Sequence, residues 1–128
     1  MQFAYTIVYV ADVAASLDFF ERAFGLPRRF LHESGAYGEL ETGATTLSFA
    51  RHDIASGNLG HEYRRASEGA PLGMEVGLAT SDVPGAYARA LQAGAQGLTP
   101  PSTKPWGQVV AYVRCPDGTL VELCTPIS

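Results

Sequence analysis

A repeated order of elements constrains this sequence more than any other feature. Each half is predicted to contain one strand, one helix and then three further strands. An Asp-Val pair begins each predicted helix, at Asp12-Val13 and Asp82-Val83, 70 residues apart. The turn glycines Gly43 and Gly118, which precede the last strand of each half, are 75 residues apart, and a longer proline-rich stretch in the second half accommodates the difference. Such a repeat buries its apolar sheet faces by pairing, within one chain or between two.

Hydrophobic periodicity and turn residues define the predicted elements. In the first half they are a strand over 3–10, a helix from Val13 that ends at Gly25, and strands over 28–32, 36–41 and 45–50. Both faces of the strand over 3–10 are rich in β-forming residues, so we expect both to be covered. In the second half they are a strand over 73–80, a helix that ends at Gly94, a short strand over 96–99, a stiff loop over 100–105, and strands over 109–113 and 119–124.

The two halves are joined by a long connection over 51–72 that has no steady period. A chain of 128 residues favours one domain, with modules of about 1–50 and 73–128, and the connection could contain a short helix. Connections of this length are often functional or mobile. His52 and His61 lie in it. Solvated loop histidines are the ordinary interpretation, although either could supply a ligand across a dimer.

Charge and hydropathy exclude several classes of partner. The formal net charge is −4, and the basic residues are spread thinly, which argues against a nucleic-acid surface. No apolar run approaches the length that crosses a bilayer, and no basic segment precedes an apolar one at the N-terminus. We therefore expect a cytoplasmic protein without nucleic-acid or membrane partners.

Glu122 is the residue that most strongly suggests a function. It lies in the last predicted strand, after the turn Pro116-Asp117-Gly118, and shares a strand face with Leu120 and Cys124. A carboxylate among apolar groups costs free energy unless something pairs with it or it stays protonated. Glu122 is therefore either part of a functional site or a carboxylate satisfied locally by a donor or water.

Two motifs together resemble the vicinal oxygen chelate superfamily, also called the glyoxalase/bleomycin-resistance/dioxygenase superfamily. They are Val8-Tyr-Val-Ala-Asp12 with the helical stretch 16–25 that contains Phe19-Phe20, and Pro116-Asp-Gly-Thr-Leu-Val-Glu-Leu123. The resemblance covers essentially the entire chain. It implies an α+β fold in which two βαβββ modules form a curled mixed sheet with a cleft, usually completed by a homodimer. It also implies four symmetry-related cleft positions that hold ligands in the metal-dependent members.

By this resemblance the four positions are Tyr5, Leu47, Glu75 and Glu122. Metal-dependent members generally have at least one His there, whereas this sequence offers two carboxylates and no His. Two carboxylates could hold a hard cation such as Mg²⁺ or Mn²⁺ with waters, but a firmly held transition metal needs more donors. We therefore expect no metal cofactor, and if a divalent metal binds, Glu75 and Glu122 are its predicted ligands.

The resulting functional hypothesis is a small-molecule-binding protein without the usual metal, which takes a flat apolar or cationic ligand as drug-resistance members of the superfamily do. One alternative is a metal-dependent glyoxalase-type lyase, isomerase or dioxygenase. A second is a metal-free enzyme that uses Glu75 and Glu122 as acid and base, since two close carboxyls cannot both ionise easily. The predicted ligand-binding residues are Tyr5, Leu47, Phe49, Glu75, Trp106, Tyr112 and Glu122. For the aromatic residues among them, ordinary packing in the core is the alternative.

Overall fold

The computed structural model describes residues 1–127. Their elements are, in order, β1 (Tyr5–Val10), α1 (Val13–Phe24), β2 (Arg28–Leu31), β3 (Tyr37–Leu40), β4 (Thr46–Arg51), α2 (His52–Leu59), β5 (Val76–Ala79), α3 (Val83–Ala93), β6 (Gln96–Thr103), β7 (Val109–Arg114) and β8 (Leu120–Cys124). None of the helices in this part of the chain has both the length and the apolar character needed to span a membrane.

The strands form two four-stranded sheets with the same arrangement. Their orders are β1-β4-β3-β2 and β5-β8-β7-β6. In each sheet the first strand pairs in parallel with the last, and the other pairs are antiparallel. The α+β fold of two βαβββ repeats that the sequence predicts is thereby confirmed.

The helices cover one face of each sheet. α1 begins at Asp12, whose side chain accepts a hydrogen bond from the Ala15 N–H, and ends at Gly25, which adopts the left-handed φ of 71° that glycine tolerates best. α1 and α3 pack against each other, and one cluster of buried apolar side chains joins both halves of the chain. In this cluster the rings of Phe20 and Phe49 lie 5.1 Å apart between centroids. We call the opposite side of each sheet its outer face.

Three strands differ from the prediction by two residues or more at one end. β1 begins at Tyr5 and β5 at Val76, so Glu75 precedes its strand. β6 continues through Pro100 to Thr103, where the sequence predicts a stiff loop. The prediction of a loop was wrong over these residues because β6 is an end strand, and a proline there lacks only an N–H that no neighbour needs. The register of β6 against β7 shifts twice on the way.

The expectation that both faces of β1 are covered was also wrong. Phe3, Tyr5 and Ile7 are 72%, 56% and 41% exposed, respectively. β1 lies at the end of its sheet, and the buried cluster takes only the alternate residues Val8 and Val10. The outer face of β1 therefore presents an exposed apolar strip.

The long connection is fixed to both sheets. It begins with the short helix α2 and continues without a strand or helix to β5. Tyr63 Oη lies 2.7 Å from His52 Nδ1, next to the first sheet. Arg114 in β7 donates to the carbonyl oxygens of Gly69 and Ala66, both at 2.8 Å. These contacts hold the segment across the junction between the two halves.

Candidate functional site

The outer face of the second sheet brings two carboxyl groups together. Half-buried Glu122 on β8 lies between Gly77 on β5 and Tyr112 on β7. Tyr112 Oη donates a hydrogen bond to Glu122 Oε2 at 3.1 Å. Glu75, which directly precedes β5 and is exposed, places its carboxyl within hydrogen-bonding reach of Glu122. Three of the predicted site residues thus lie in one group, which we call the carboxyl cluster: Glu75, Tyr112 and Glu122.

Mutual contact within the carboxyl cluster changes its protonation. The hydrogen bond with Glu122, followed by slight burial of the otherwise exposed carboxyl and by repulsion from the Glu122 charge, raises the pKa of Glu75 to about 7. Burial, followed by the neighbouring Glu122, also raises the pKa values of Tyr112 and of Cys124. The tyrosine and the thiol therefore remain protonated at neutral pH, whereas Glu75 is about half protonated there. The cluster can exchange a proton near neutral pH or accept hydrogen bonds from a ligand.

Leu47 and Phe49 do not reach this site. Both side chains belong to the buried cluster on the helix side of β4. The correspondence of Leu47 with Glu122 is wrong by one residue, since Ile7 pairs with Ser48 as Gly77 pairs with Glu122. The reason is a turn that is one residue longer between its glycine and its strand in the first half than in the second. Ser48 is therefore the structural counterpart of Glu122.

Tyr5 and Trp106 belong to other elements than the carboxyl cluster. Tyr5 is on β1 in the other sheet. Trp106 is exposed in the turn between β6 and β7, and its indole N–H donates to Gln108 Oε1 at 2.9 Å. Both aromatic rings are exposed and remain available to contact a ligand or a partner chain.

Sequence reasoning missed a second polar network, on the outer face of the first sheet. Glu39 is 8% exposed, accepts from Tyr37 Oη at 2.7 Å and lies 3.3 Å from Arg29 Nη1. Arg29 also bonds both carboxyl oxygens of Glu41, at 3.0 and 2.9 Å, and thereby lowers the pKa of Glu41. The available signal was the spacing of Tyr37, Glu39 and Glu41, which at period two share a strand face.

His52 has a structural contact rather than a place in the carboxyl cluster. It is buried, and its ring stacks on Tyr63 with centroids 5.7 Å apart. Burial, followed by the positive charge of Arg65, lowers the pKa of His52, so the ring stays neutral at physiological pH. His61 is exposed in the connection.

The donor set of the carboxyl cluster fits a transition metal poorly. Within residues 1–127, no three His, Cys, Asp or Glu side chains are grouped so that they could hold a metal ion. Glu75 and Glu122 are the only carboxylates of the cluster, and the nearby tyrosine and thiol keep their protons. Two carboxylates match a hard, water-rich cation better than zinc or iron.

Comparison with known proteins identifies the family. Residues 2–123 match the family described as the Glyoxalase/Bleomycin resistance protein/Dioxygenase superfamily. A glyoxalase-related enzyme from Fulvimarina pelagi superposes with a TM-score of 0.84 at 22% sequence identity, over 100% of this chain and 93% of that chain. TioX from Micromonospora sp. ML1 gives a TM-score of 0.74 at 23% identity, over 99% of this chain and 100% of that chain.

Another similar structure is a glyoxalase/bleomycin resistance protein/dioxygenase family enzyme from Burkholderia phytofirmans PsJN. Its TM-score is 0.78 at 18% identity, over 99% of this chain and 100% of that chain. No curated protein matches the sequence. At such identities the solved structures show the fold alone, whereas the family match extends over nearly all of the sequence. The chain belongs to the glyoxalase/bleomycin resistance protein/dioxygenase superfamily.

Proposed function

We propose that this protein binds a flat small molecule with a cationic or hydrogen-bond-donating group on the outer face of the second sheet, without a transition metal. The observation that carries the proposal is the contact between Glu75 and Glu122. Among the ion pairs of residues 1–127, none includes either glutamate. A pair of carboxyls in which the pKa of Glu75 is raised to about 7 and which has no cation beside it is suited to receive a positive or donating group from outside.

The surroundings of the carboxyl cluster favour an aromatic or otherwise apolar body for that ligand. Leu120 and Cys124 flank Glu122 on the same strand face, and Met74 is 62% exposed beside Glu75. Apolar walls with a few polar groups are the ordinary composition of small-molecule sites. Thioether and aromatic groups also pack favourably against flat rings.

We further propose that a second copy of the chain completes the cleft. The exposed apolar strip begins at Phe3, just before β1, and continues with Tyr5 and Ile7 on this end strand of the first sheet, where a second copy could cover it. Burial of such a strip is favourable, and large apolar patches on a chain of this size ordinarily mark an interface. Homodimers are frequent in the superfamily that the sequence resembles, which supports this arrangement.

Calorimetric titration with proflavine, a planar aromatic cation, tests the binding proposal. We expect saturable binding at pH 8 that weakens at least tenfold in Glu122→Gln, and proton release on binding at pH 7, seen as a dependence of the heat on buffer. Neutral, planar acridone should bind wild type and Glu122→Gln alike. Glu33→Gln, in the exposed turn between β2 and β3, is the matched charge control. Equal proflavine affinity in all three proteins would refute the role of the carboxyl cluster.

A metal-free acid–base enzyme is the second candidate, and the pKa of about 7 at Glu75 supports it. In that case Glu122→Gln should abolish turnover of a substrate with an acidic C–H bond while binding only weakens. If the protein is a binder alone, the variant changes affinity and there is no turnover to lose.

A metal-dependent lyase, isomerase or dioxygenase is the third candidate. Elemental analysis of the purified protein, combined with thermal unfolding in the presence of Mg²⁺, Mn²⁺, Ni²⁺ and Zn²⁺, separates it from the other two. A stoichiometric metal with a rise in Tm that Glu122→Gln removes would overturn the metal-free proposal.

A further inference from the structure

The connection between the two halves is fastened to the second sheet by an arginine. Arg114, on β7, donates to the carbonyl oxygens of Ala66 and Gly69, both at 2.8 Å. The backbone of Ala66 also packs so tightly on Gly118, between β7 and β8, that a Cβ at Gly118 would collide with it. We call residues 66–69 the anchored segment. It is attached both to β7 and to the loop that leads into β8.

Little else holds the chain between the anchored segment and β5. Residues 70–74 make none of the hydrogen bonds found within residues 1–127, and only two of their side chains are half-buried. Glu75 follows directly and still lies outside β5. The path of the chain into Glu75 is therefore set at one end by the pairing of β5 with β8 and at the other end by Arg114.

We propose that Arg114 is a positioning residue for the carboxyl cluster: it holds the anchored segment so that the Glu75 carboxyl lies against Glu122. The role rests on the proposed function, in which these two carboxyls together receive the ligand. The guanidinium of Arg114 is engaged by backbone carbonyl oxygens, and it makes none of the ion pairs found within residues 1–127. Its planar fork reaches two acceptors at once, which the ammonium of a lysine does not reproduce.

The pKa of Glu75 shows whether its carboxyl stays against Glu122. The ionisable groups that face Glu75 are Glu122 and Cys124 on β8 and Tyr112 on β7. Loosening of the anchored segment separates the two carboxyls, so the pKa of Glu75 falls from about 7 toward 4.5. Loss of a nearby positive charge alone acts in the opposite direction, because it disfavours the carboxylate and raises the pKa. The sign of the change therefore separates positioning from a plain charge effect.

Carboxyl NMR titration of two Arg114 variants tests the positioning role. Arg114→Lys keeps the charge but cannot donate to both carbonyl oxygens in the same way, and Arg114→Met removes the charge and the donors. The pKa of Glu75 should fall by about one pH unit or more in both variants. Amide order parameters over residues 66–75 should fall with it, since the anchored segment is released.

Arg89→Met is the matched control for a general loss of stability. Arg89 likewise donates to two backbone carbonyl oxygens, those of Arg22 and Glu21 in α1, at 2.8 and 3.3 Å. This variant should lower Tm to an extent comparable with Arg114→Met and leave the pKa of Glu75 unchanged. An equal fall of that pKa in Arg89→Met would overturn the positioning role.

An unchanged pKa of Glu75 in Arg114→Lys, or a raised one in Arg114→Met, would also overturn the role, and the lysine variant decides alone if the methionine variant does not fold. Proflavine titration at pH 8 keeps the two proposals apart, and Arg114→Lys should weaken it about threefold. If the wild type fails to bind proflavine while the pKa falls as expected, the proposed ligand is wrong and the positioning role stands. If the wild type binds and the pKa does not change, the positioning role is wrong and the ligand stands.

Discussion

The two sheets have the same strand order, but the glutamates on their outer faces have different partners. On the first, the Glu39 carboxylate is buried and receives both a tyrosine hydroxyl and the Arg29 guanidinium. On the second, Glu122 receives a tyrosine hydroxyl, and its other neighbour is a second carboxyl, Glu75. The first arrangement is complete within the chain, whereas the second leaves a negative charge for which residues 1–127 provide no cation. A complete network stabilises the fold, and an incomplete one is available for a ligand.

The largest effect should come from placing a carboxylate at the matching position of the first sheet. Ser48 is fully buried, and its Oγ lies 3.5 Å from the Thr6 carbonyl oxygen. Ser48→Glu has to fit a longer side chain and a charge into this space, and we expect a loss of about 3 kcal/mol or more in the free energy of unfolding. Ser48→Ala, the control, should lose about 1 kcal/mol or less. Urea unfolding measures both. Equal stability of the two variants would show that the first sheet accepts a carboxylate as readily as the second.

A smaller loss should follow from removing the cation of the first outer face. Arg29→Met keeps much of the side-chain volume but leaves buried Glu39 without its ion pair, so Tm should fall by several degrees. Arg28→Met, which breaks the exposed pair with Asp18, is the matched control and should change Tm little. The double variant Arg29→Met/Glu39→Gln should recover part of the loss, and a double variant as unstable as the single one would contradict a charge-based cause.

The sequence carries enough local information for the helices and for most strands. Asp12 and Gly25 mark the ends of α1 by the chemistry of helix caps, and the structure confirms both. β6 was mispredicted because Pro100 breaks a central strand but not an end strand, and sheet order is a property of the whole fold. Leu47 was misassigned because a one-residue difference in turn length reverses the face of every following strand residue.

The candidate site was predictable only in part for similar reasons. Glu75 and Glu122 are 47 residues apart in sequence, and the repeat, together with the family resemblance, brought them to one face. Arg29 pairs with Glu39 and Glu41 across neighbouring strands, a contact that no local pattern specifies.

The pH dependence of stability distinguishes the second outer face from the first. Because the folded state raises the pKa of Glu75 from 4.5 to about 7, Glu75 contributes stability below pH 4.5 that is lost as the pH rises through 7. Glu122→Gln removes the cause of the shift. Between pH 4.5 and pH 8 the wild type should therefore lose this contribution, whereas the variant has none to lose. The Tm of the variant minus that of the wild type should increase over this range. Glu33→Gln should show no such trend, and a flat difference for Glu122→Gln would contradict the raised pKa of Glu75.

The smallest effects should come from two matched tyrosine substitutions, Tyr37→Phe and Tyr112→Phe. Each removes a single hydroxyl that donates to a glutamate, at 2.7 Å to Glu39 and at 3.1 Å to Glu122. Glu39 is 8% exposed and cannot turn to water, so Tyr37→Phe should cost about 1–2 kcal/mol, near the value of a hydrogen bond to a charged group. Half-buried Glu122 can recover a water molecule, so Tyr112→Phe should cost about 0.5–1 kcal/mol.

Urea unfolding at pH 7 and at pH 5 measures the two tyrosine variants. At pH 5 the Glu75 carboxyl is protonated and can donate to Glu122 in place of the lost hydroxyl, so the cost of Tyr112→Phe should shrink. Glu39 has no neighbouring acid group to donate, because its partners are Arg29 and Tyr37, so the cost of Tyr37→Phe should remain the same. If the two costs instead change in parallel with pH, Glu122 is as fully satisfied within the chain as Glu39. The negative charge of the carboxyl cluster is then no longer a reason to expect a cationic ligand.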